Sequence, residues 1–382
     1  MAQAITLRAL GAFQHRHHAF LAQPNHRRTA PSGDALDVNP LSHGILRRVS
    51  AGENQTSGES YLPGGRGPQV GRQDARAPGV IAIVGPTASG KSTLGIEVAL
   101  RLGGEIINCD SVQVYQGIEI ATAKVPLAER RGVPHHLIDF VSPNINYTAG
   151  DWAREAVPVI EDVQRRGRVP ILVGGTGLYL RAFRNPFFVS PQTDENLRRR
   201  LNELRERRGS EHLHAVLRRL DPASAKELYP RDWPRVQRAI EVRLQTGEAM
   251  SGKKGLRPEP PESARQLGLI VLNPARAALY ARINERTEQH FAAGLVAEVK
   301  SLLAAGVPAA SNALGAHGYR RVVEYFEGKR DLESAVEQTK LDVRHYAKRQ
   351  LTWFRREPGA EWFAGFGEDE ELQQAVLSAL AR

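Results

Sequence analysis

The run of residues from Gly85 to Ser92 constrains the fold more than any other part of the chain. It reads Gly-Pro-Thr-Ala-Ser-Gly-Lys-Ser and matches the phosphate-loop pattern G-x-x-x-x-G-K-S at every fixed position. An apolar run at 80–84 precedes it and a helical stretch from Thr93 to Leu102 follows, which is the strand–loop–helix setting that the motif needs. The sequence therefore predicts a loop whose backbone N–H groups bind phosphate oxygens at the start of a helix.

The same motif predicts the roles of individual side chains. Lys91 is expected to reach the terminal phosphates of a ligand, and the Ser92 hydroxyl is expected to bind Mg²⁺. The whole predicted phosphate-binding set is Gly85, Pro86, Thr87, Ala88, Ser89, Gly90, Lys91 and Ser92. The motif does not distinguish between a phosphate that is transferred and one that departs as a leaving group.

The hydrophobic pattern predicts an α/β fold. Apolar runs that are typical of short buried strands occur at 80–84, 105–108, 137–141, 169–173 and 269–272. Helical stretches separate them, which predicts a P-loop NTPase-like core: a mostly parallel sheet with helices on both faces and ligands at the carboxyl ends of the strands. Residues 275–305, 317–328 and 331–355 are predicted to be helical.

Composition divides the chain into five parts. We predict a disordered N-terminal extension at 1–78, the first part of the core at 79–187, a helical insertion at 188–232, the core completion with C-terminal helices at 233–356, and a tail with a short helix at 357–382. Residues 1–33 lack acids and contain several arginines, as organelle transit peptides do. A dispensable tail or a start codon placed too early is the preferred interpretation of the extension.

Charge indicates a polyanionic partner. The chain carries a net charge of +10, and residues 1–78 contain nine arginines and five acids, which leaves +6 for the rest. The insertion surrounds its leucines with arginines, and the last predicted helix mixes basic residues with Trp353, a combination that suits nucleic acid. Cys109 is the only cysteine in the sequence, which excludes a disulfide framework and a Cys-rich zinc site. No apolar run approaches the roughly 20 residues of a membrane span.

Two further strand ends carry polar groups. Asp110 follows the second predicted strand beside the loop, where its carboxylate could act as a general base, bind Mg²⁺ through water, or cap a turn. The strand at 169–173 runs into Gly174, Gly175 and Thr176, whereas a phosphate-loop ATPase normally places an Asp there for Mg²⁺. The glycines allow close backbone approach and Thr176 supplies a neutral hydroxyl, which disfavours a motor ATPase.

The combination of motifs resembles the tRNA dimethylallyltransferase (tRNA isopentenyltransferase) family, in its bacterial form. The matching blocks occur in the family's order at 85–92, 110–115, 121–124, 135–139, 147–150, 172–179, 235–242, 318–320 and 346–353. The resemblance implies transfer of a dimethylallyl group from dimethylallyl diphosphate to N6 of the adenosine just 3′ of the anticodon, position 37, in tRNAs that read codons beginning with U. It also implies Mg²⁺ as the cofactor.

The same resemblance assigns roles to residues. Asp110 is implied as the general base and Thr176 as the residue that orients the base and the reacting centre. The residues implied to contact the tRNA anticodon stem-loop are Asp110, Ser111, Val112, Gln113, Thr176, Arg198, Pro234, Arg235, Val236, Gln237, Arg238, Gly318, Tyr319, Arg320, Lys348 and Arg349. Because the target amine lies in a stacked loop, the nucleotide must be flipped out, which typically costs a few kcal/mol.

Three alternatives remain open from the sequence. They are a small-molecule phosphoryl transferase with the same loop, an adenylate-type isopentenyltransferase acting on free nucleotides, and an RNA-binding protein with a vestigial loop. The basic helices at 197–208 and 340–356 argue against the first, and Lys91, Ser92 and Asp110 together argue against the third. A cytoplasmic, monomeric enzyme without membrane contact is the expectation.

Overall fold

A computed structural model describes residues 79–382, apart from the side chain of Lys254, so the extension predicted at 1–78 lies outside the described residues. One parallel sheet organises this part of the chain, in the order β3-β2-β4-β1-β5-β6. The strands are β1 (Val80–Val84), β2 (Gly104–Asn108), β3 (His135–His136), β4 (Val169–Gly174), β5 (Leu267–Leu272) and β6 (Ala360–Phe363). The predicted α/β class is therefore confirmed.

Helices connect the strands and cover the sheet. They are α1 (Lys91–Leu102), α2 (Ala149–Arg165), α3 (Gly177–Arg184), α4 (Glu195–Arg208), α5 (Ser210–Leu220), α6 (Pro222–Glu227), α7 (Trp233–Thr246), α8 (Glu262–Arg265), α9 (Arg276–Ala292), α10 (Leu295–Ala304), α11 (Tyr319–Phe326), α12 (Leu332–Phe354) and α13 (Glu370–Leu380). No helix within residues 79–382 is both long enough and apolar enough to cross a membrane.

Alternating side chains of the central strands bury apolar groups on both faces of the sheet. In β1, Ile81 and Ile83 pack into a cluster with α1 and α13. The intervening Val80, Ala82 and Val84 face a larger cluster that includes α2, α3, α10 and α11. Both faces are covered, as a parallel sheet requires, and the carboxyl ends of the strands are left to form a site.

The strand predicted at 137–141 is wrong. The strand in this region is β3, where His135 and His136 pair with the middle of β2. Leu137 and Asp139 have positive φ angles of 57° and 55°, and such left-handed residues cannot continue an extended strand. Val141 makes only an isolated parallel bridge.

The segment predicted at 357–382 as a tail with a short helix contains that helix as α13 and also a strand that was not predicted. Residues 360–363 form β6, which pairs in parallel with β5 and becomes an edge of the sheet. Leu372, Val376 and Leu380 of α13 are buried in the same cluster as α1. The β6 strand was missed because its four residues, Ala-Glu-Trp-Phe, show no apolar run at this exposed edge.

The helical insertion extends beyond its predicted end at residue 232. Val236, Ala239 and Ile240 of α7 pack with leucines of α4 and α5 into a separate small core. Glu241 of α7, which is fully buried, binds the guanidinium of Arg198 on α4 through two hydrogen bonds of 2.9 and 3.0 Å. The helix predicted at 275–305 is divided into α9 and α10 at Gly294, whose φ is 101°.

Candidate active site

The phosphate loop joins β1 to α1 in a conformation that depends on glycine. Gly90, at the N-terminus of α1, has a φ of 80°, and the loop residue Ala88 also adopts a positive φ of 63°. The Lys91 ammonium folds over the loop and donates a hydrogen bond to the carbonyl oxygen of Pro86 at 2.7 Å. The loop thus presents its backbone and the positive end of a helix to the same space as the lysine.

Gln350 of α12 ties the loop to the end of β4. Its Oε1 accepts a hydrogen bond from the Thr87 amide at 2.8 Å, and its Nε2 donates to the Gly175 carbonyl at 2.9 Å. A Cβ atom at Gly175 would lie 2.1 Å from that Nε2, and one at Gly174 would lie 2.0 Å from the Cys109 carbonyl oxygen. The close approach predicted for the glycine pair is therefore present, and it brings three strand ends together.

A cavity of about 490 Å³ opens over the loop. Lys91 and Ser92 line it, together with Arg282 and Arg286 of α9. The two arginines are four residues apart, so they lie on the same face of the helix. The motifs did not reveal them because α9 follows the loop by almost 200 residues; their spacing, interleaved with Leu279 and Ile283, was the available signal.

The cations of this cavity lack full hydration. Burial lowers the pKa of Lys91 to about 8, although the negative charge of Asp110 opposes the shift. Burial also lowers the pKa of Arg286, and the neighbouring Arg282 lowers it further. Within residues 79–382, the partly buried Arg286 guanidinium forms no hydrogen bond or ion pair, whereas cations removed from water are normally paired. The cavity is therefore suited to an anion.

Asp110 lies beside the loop, just beyond the end of β2. Its Oδ1 accepts hydrogen bonds from the amides of Val112 at 2.9 Å and Gln113 at 3.4 Å, and its own amide donates to Asn108 Oδ1 at 3.1 Å. These contacts hold one carboxylate oxygen, and no hydrogen bond to Oδ2 occurs within the described part of the chain. A fixed carboxylate with one oxygen available can accept a proton from a substrate.

A second cavity of about 420 Å³ meets the first at Asp110. The residues that line both cavities are Thr87, Ala88, Asp110, Thr122, Ala123, Arg286 and Tyr346. The second cavity also has aromatic and apolar walls, including Phe291 and Leu295, and two histidines, His290 and His317. Burial lowers the pKa of each histidine to about 4, so both imidazoles are neutral at pH 7.

Thr176 lies behind Asp110 and lines neither cavity. Its Oγ1 accepts a hydrogen bond from the Ser111 amide at 3.0 Å and donates to Ser111 Oγ at 3.2 Å. Tyr346, which lines both cavities, hydrogen-bonds to the same threonine. The hydroxyl is thus used to position Ser111 and Tyr346, and the predicted role of Thr176 at the reacting centre stays a prediction.

The predicted tRNA-contact residues fall into distinct environments. Ser111, Val112 and Gly318 line the second cavity and Gln113 lines the first. The exposed members are Pro234, Arg235, Arg320, Lys348 and Arg349. The cavity-lining residues and the exposed residues are both accessible to an RNA without a rearrangement of the fold.

The other predicted contacts stay predictions, and their side chains are wholly or partly used inside the fold. Val236 and Gln237 lie in or beside the core of the insertion, and Tyr319 is completely buried beneath the second cavity. Arg198 and Arg238 are partly exposed, but both bind the buried Glu241 carboxylate. Helical periodicity explains these different environments, because a contiguous motif on a helix turns some of its residues into the core.

Tyr319 instead fixes a wall of the site. Its hydroxyl donates to Glu298 Oε1 at 2.5 Å and accepts from the Ala121 amide at 3.3 Å, while the Glu298 carboxylate also accepts from the amides of Glu119 and Ile120. The chain that follows, Thr122 and Ala123, lines both cavities. The tyrosine therefore positions residues 119–123 from below.

Replacing Tyr319 with Phe removes both hydroxyl hydrogen bonds and keeps the ring. We expect a loss of about 1 kcal/mol in the free energy of unfolding, since the partly buried Ala121 amide and the Glu298 carboxylate each lose a partner. We also expect turnover to fall roughly tenfold, because a 1 Å displacement in a positioned site can cost more than that. Thermal melting and steady-state kinetics measure the two effects. Wild-type turnover in the destabilised variant would show that the wall does not position the reactants.

The donors around the loop suit a magnesium ion that is bound mainly by a substrate. Within residues 79–382 no group of three or more His, Cys, Asp or Glu side chains could hold a metal ion alone. Ser92 and Asp110 offer a hydroxyl and a carboxylate in the first cavity. Mg²⁺ is usually bound through one or two protein oxygens plus substrate phosphates and water, so this donor set fits it.

A phosphate loop on a parallel sheet, facing a carboxylate where two cavities meet, defines the class of the protein as a P-loop transferase. The family description "IPP transferase" matches residues 113–357, and "Isopentenyl transferase" matches residues 78–135. The chain belongs to the IPP transferase family, whose curated members are named tRNA dimethylallyltransferases.

Individual relatives and solved structures agree with this assignment. The tRNA dimethylallyltransferase of Solibacter usitatus is 44% identical over 308 residues, which are 79% of this chain and 98% of that protein. The one from Carboxydothermus hydrogenoformans is 45% identical over 303 residues, 78% and 96% of the two chains. The crystal structure of the tRNA isopentenylpyrophosphate transferase from Bacillus halodurans has 37% identity and a TM-score of 0.57, covering 79% and 96%. A eukaryotic dimethylallyltransferase acting on tRNA has 28% identity and a TM-score of 0.66, covering 79% and 77%.

Proposed function

We propose that this protein transfers the dimethylallyl group of dimethylallyl diphosphate to N6 of the adenosine just 3′ of the anticodon, in tRNAs that read codons beginning with U. The products are N6-(dimethylallyl)adenosine in tRNA and free diphosphate. The observation that carries the proposal is the junction of two different cavities at Asp110, one cationic and one largely apolar. Such a junction suits a reaction between a diphosphate ester and a flat base.

The first cavity supplies the leaving-group site. The loop amides, Lys91 and Arg286 converge on the space where a diphosphate would lie. As the allylic C–O bond breaks, negative charge grows on the diphosphate, and fixed cations stabilise that charge more in the transition state than in the ester. Mg²⁺ held by the Ser92 hydroxyl and diphosphate oxygens would add to this neutralisation.

The second cavity supplies the acceptor site. The N6 amine forms a bond to the allylic carbon as the carbon–oxygen bond breaks, and the amine then carries a surplus proton. Asp110 Oδ2 is the group that takes this proton, since Oδ1 is occupied by backbone amides. Tyr346, Phe291 and the neutral His317 give the flipped base aromatic and hydrogen-bonding surfaces.

The test of the proposal combines the full chain, Mg²⁺, labelled dimethylallyl diphosphate and an anticodon stem-loop with adenosine at position 37. We expect label in the RNA, and none when that adenosine is replaced by guanosine. γ-Labelled ATP in place of the allylic substrate tests the phosphoryl-transferase alternative, and free AMP as acceptor tests the adenylate-type alternative. Transfer to AMP but not to RNA would contradict the proposal.

Lys91 gives the reaction a specific pH dependence. Its pKa of about 8 means that it loses its charge above that pH, and a bound diphosphate must restore the proton. We therefore expect the affinity for pyrophosphate to be constant below pH 8 and to fall by up to tenfold per pH unit above it. Calorimetry between pH 7 and 9.5 measures this. In Lys91→Arg, whose side chain stays charged, the fall in affinity above pH 8 should disappear. A fall that persists would mean that another group titrates.

A monomeric state and a cytoplasmic location belong to the same proposal and stay predictions. Light scattering of the purified chain measures the first.

A further inference from the structure

Residues 364–369, here called the C-terminal strap, lie directly against the phosphate loop. The Gly367 amide donates a hydrogen bond to the Ser89 carbonyl at 2.9 Å. A Cβ atom at Gly90 would lie 2.6 Å from the Gly367 nitrogen and 2.3 Å from Glu368 Oε2. A Cβ atom at Gly367 would lie 2.1 Å from the Gly90 carbonyl oxygen. The contact therefore requires glycine on both sides, and it brings a carboxylate to the rim of the loop.

The strap is held in place from both ends. It follows β6, which pairs with β5, and it leads into α13, which packs with α1. The Phe366 amide donates to Asp369 Oδ2 at 2.7 Å, and Gln373 Nε2 donates to the Gly367 carbonyl at 2.9 Å. This segment lies beyond residue 357, where the match to the IPP transferase description ends, yet it completes the wall of the first cavity.

Glu368 borders the first cavity at the Gly90 end of the phosphate loop. Its carboxylate accepts two hydrogen bonds from Arg282, at 3.0 and 2.7 Å, and it lines only the first cavity. Asp110 lines both. Lys91 and Arg286 interact electrostatically with both carboxylates.

We propose that Glu368 is a specificity residue that restricts the phosphate loop to diphosphates and discriminates against inorganic and nucleoside triphosphates. The inference deepens the proposed function, in which the allylic end of the substrate points to Asp110. The terminal phosphate then points away from the second cavity, towards the strap. A third phosphate extends the anion on that side, against a carboxylate fixed by two hydrogen bonds and a glycine-to-glycine backbone contact. The negative charges of the third phosphate and of Glu368 would repel each other.

The test compares how tightly two inorganic anions bind to the full chain in Mg²⁺. Calorimetry gives the dissociation constants of pyrophosphate and triphosphate for the wild type, Glu368→Gln, Glu368→Asp and Glu371→Gln. Glu371 is exposed on α13 and lines neither cavity, so its variant is a matched charge control. We expect Glu368→Gln to raise triphosphate affinity about tenfold more than pyrophosphate affinity, a change typical of one charge pair near a surface. Glu368→Asp and Glu371→Gln should keep the wild-type ratio.

Two outcomes would overturn the inference, and two further outcomes separate it from the proposed function. An unchanged ratio in Glu368→Gln shows that the carboxylate does not discriminate, and an equal change in Glu371→Gln shows a general charge effect. A wild type that binds neither anion contradicts this inference and the proposed function together. If pyrophosphate binds and the ratio shifts as expected while no label enters RNA, the proposed acceptor chemistry fails and the selectivity of the loop stands.

Discussion

Asp110→Asn should lower the rate of dimethylallyl transfer by about 10²–10⁴-fold, the usual contribution of a general base. The substitution keeps Oδ1 as an acceptor for the amides of Val112 and Gln113, so the turn after β2 should survive. It removes the oxygen that would take the amine proton. Removal of a negative charge beside Lys91 should leave diphosphate affinity unchanged or slightly higher. Single-turnover measurements with saturating substrates separate the chemical step from binding.

The control for this variant is Asp162→Asn. Asp162 is a surface residue of α2 that pairs with Arg165 and Arg166 and lines neither cavity. It should lower transfer by less than a factor of about two, since surface pairs contribute little. If Asp110→Asn retained wild-type single-turnover rates but lost affinity for the anticodon stem-loop, Asp110 would be an RNA contact and the base would have to be sought elsewhere.

The sequence predicted the parts of this site whose residues form a contiguous motif. The phosphate loop, Asp110 and the Gly174–Gly175 pair could be identified because each follows directly on a buried strand, and strand ends meet at one edge of a parallel sheet. The block at 147–150 has a structural explanation as well: Thr148 and Asp151 form the capping box that begins α2.

The remaining parts depend on tertiary structure. Arg282 and Arg286 reach the loop from one helix, α9, and Glu368 reaches it from the strap, and both segments are distant from the loop in sequence. The spacing of the two arginines places them on one helix face, but it does not indicate that this face borders a cavity. The burial of Val236 and Tyr319 also depends on tertiary structure, and their predicted tRNA contacts stay predictions. Their motifs indicated importance, but burial against neighbouring helices decides whether a residue touches a ligand or supports one that does.

Replacement of Arg286 should raise the free energy of unfolding and, at the same time, lower pyrophosphate affinity and turnover. Its side chain is partly buried, lines both cavities and has no anionic partner at hydrogen-bond distance within residues 79–382. A partly desolvated charge without a partner destabilises the fold, so Arg286→Met, which keeps the length and removes the charge, should raise the free energy of unfolding by roughly 1 kcal/mol. This increase should be seen by thermal melting in a buffer without phosphate or sulfate.

The same variant should bind pyrophosphate about 10–100-fold more weakly, as expected for the loss of one charge-assisted hydrogen bond, and its turnover should fall by at least as much. The matched control is Arg282→Met, one helical turn away. Arg282 is already paired with Glu368, so its replacement leaves that carboxylate without its cation and should not stabilise the fold. If Arg286→Met instead melted at a lower temperature and bound pyrophosphate as the wild type does, the arginine would be a structural residue. The cationic centre would then consist of the loop and Lys91 alone.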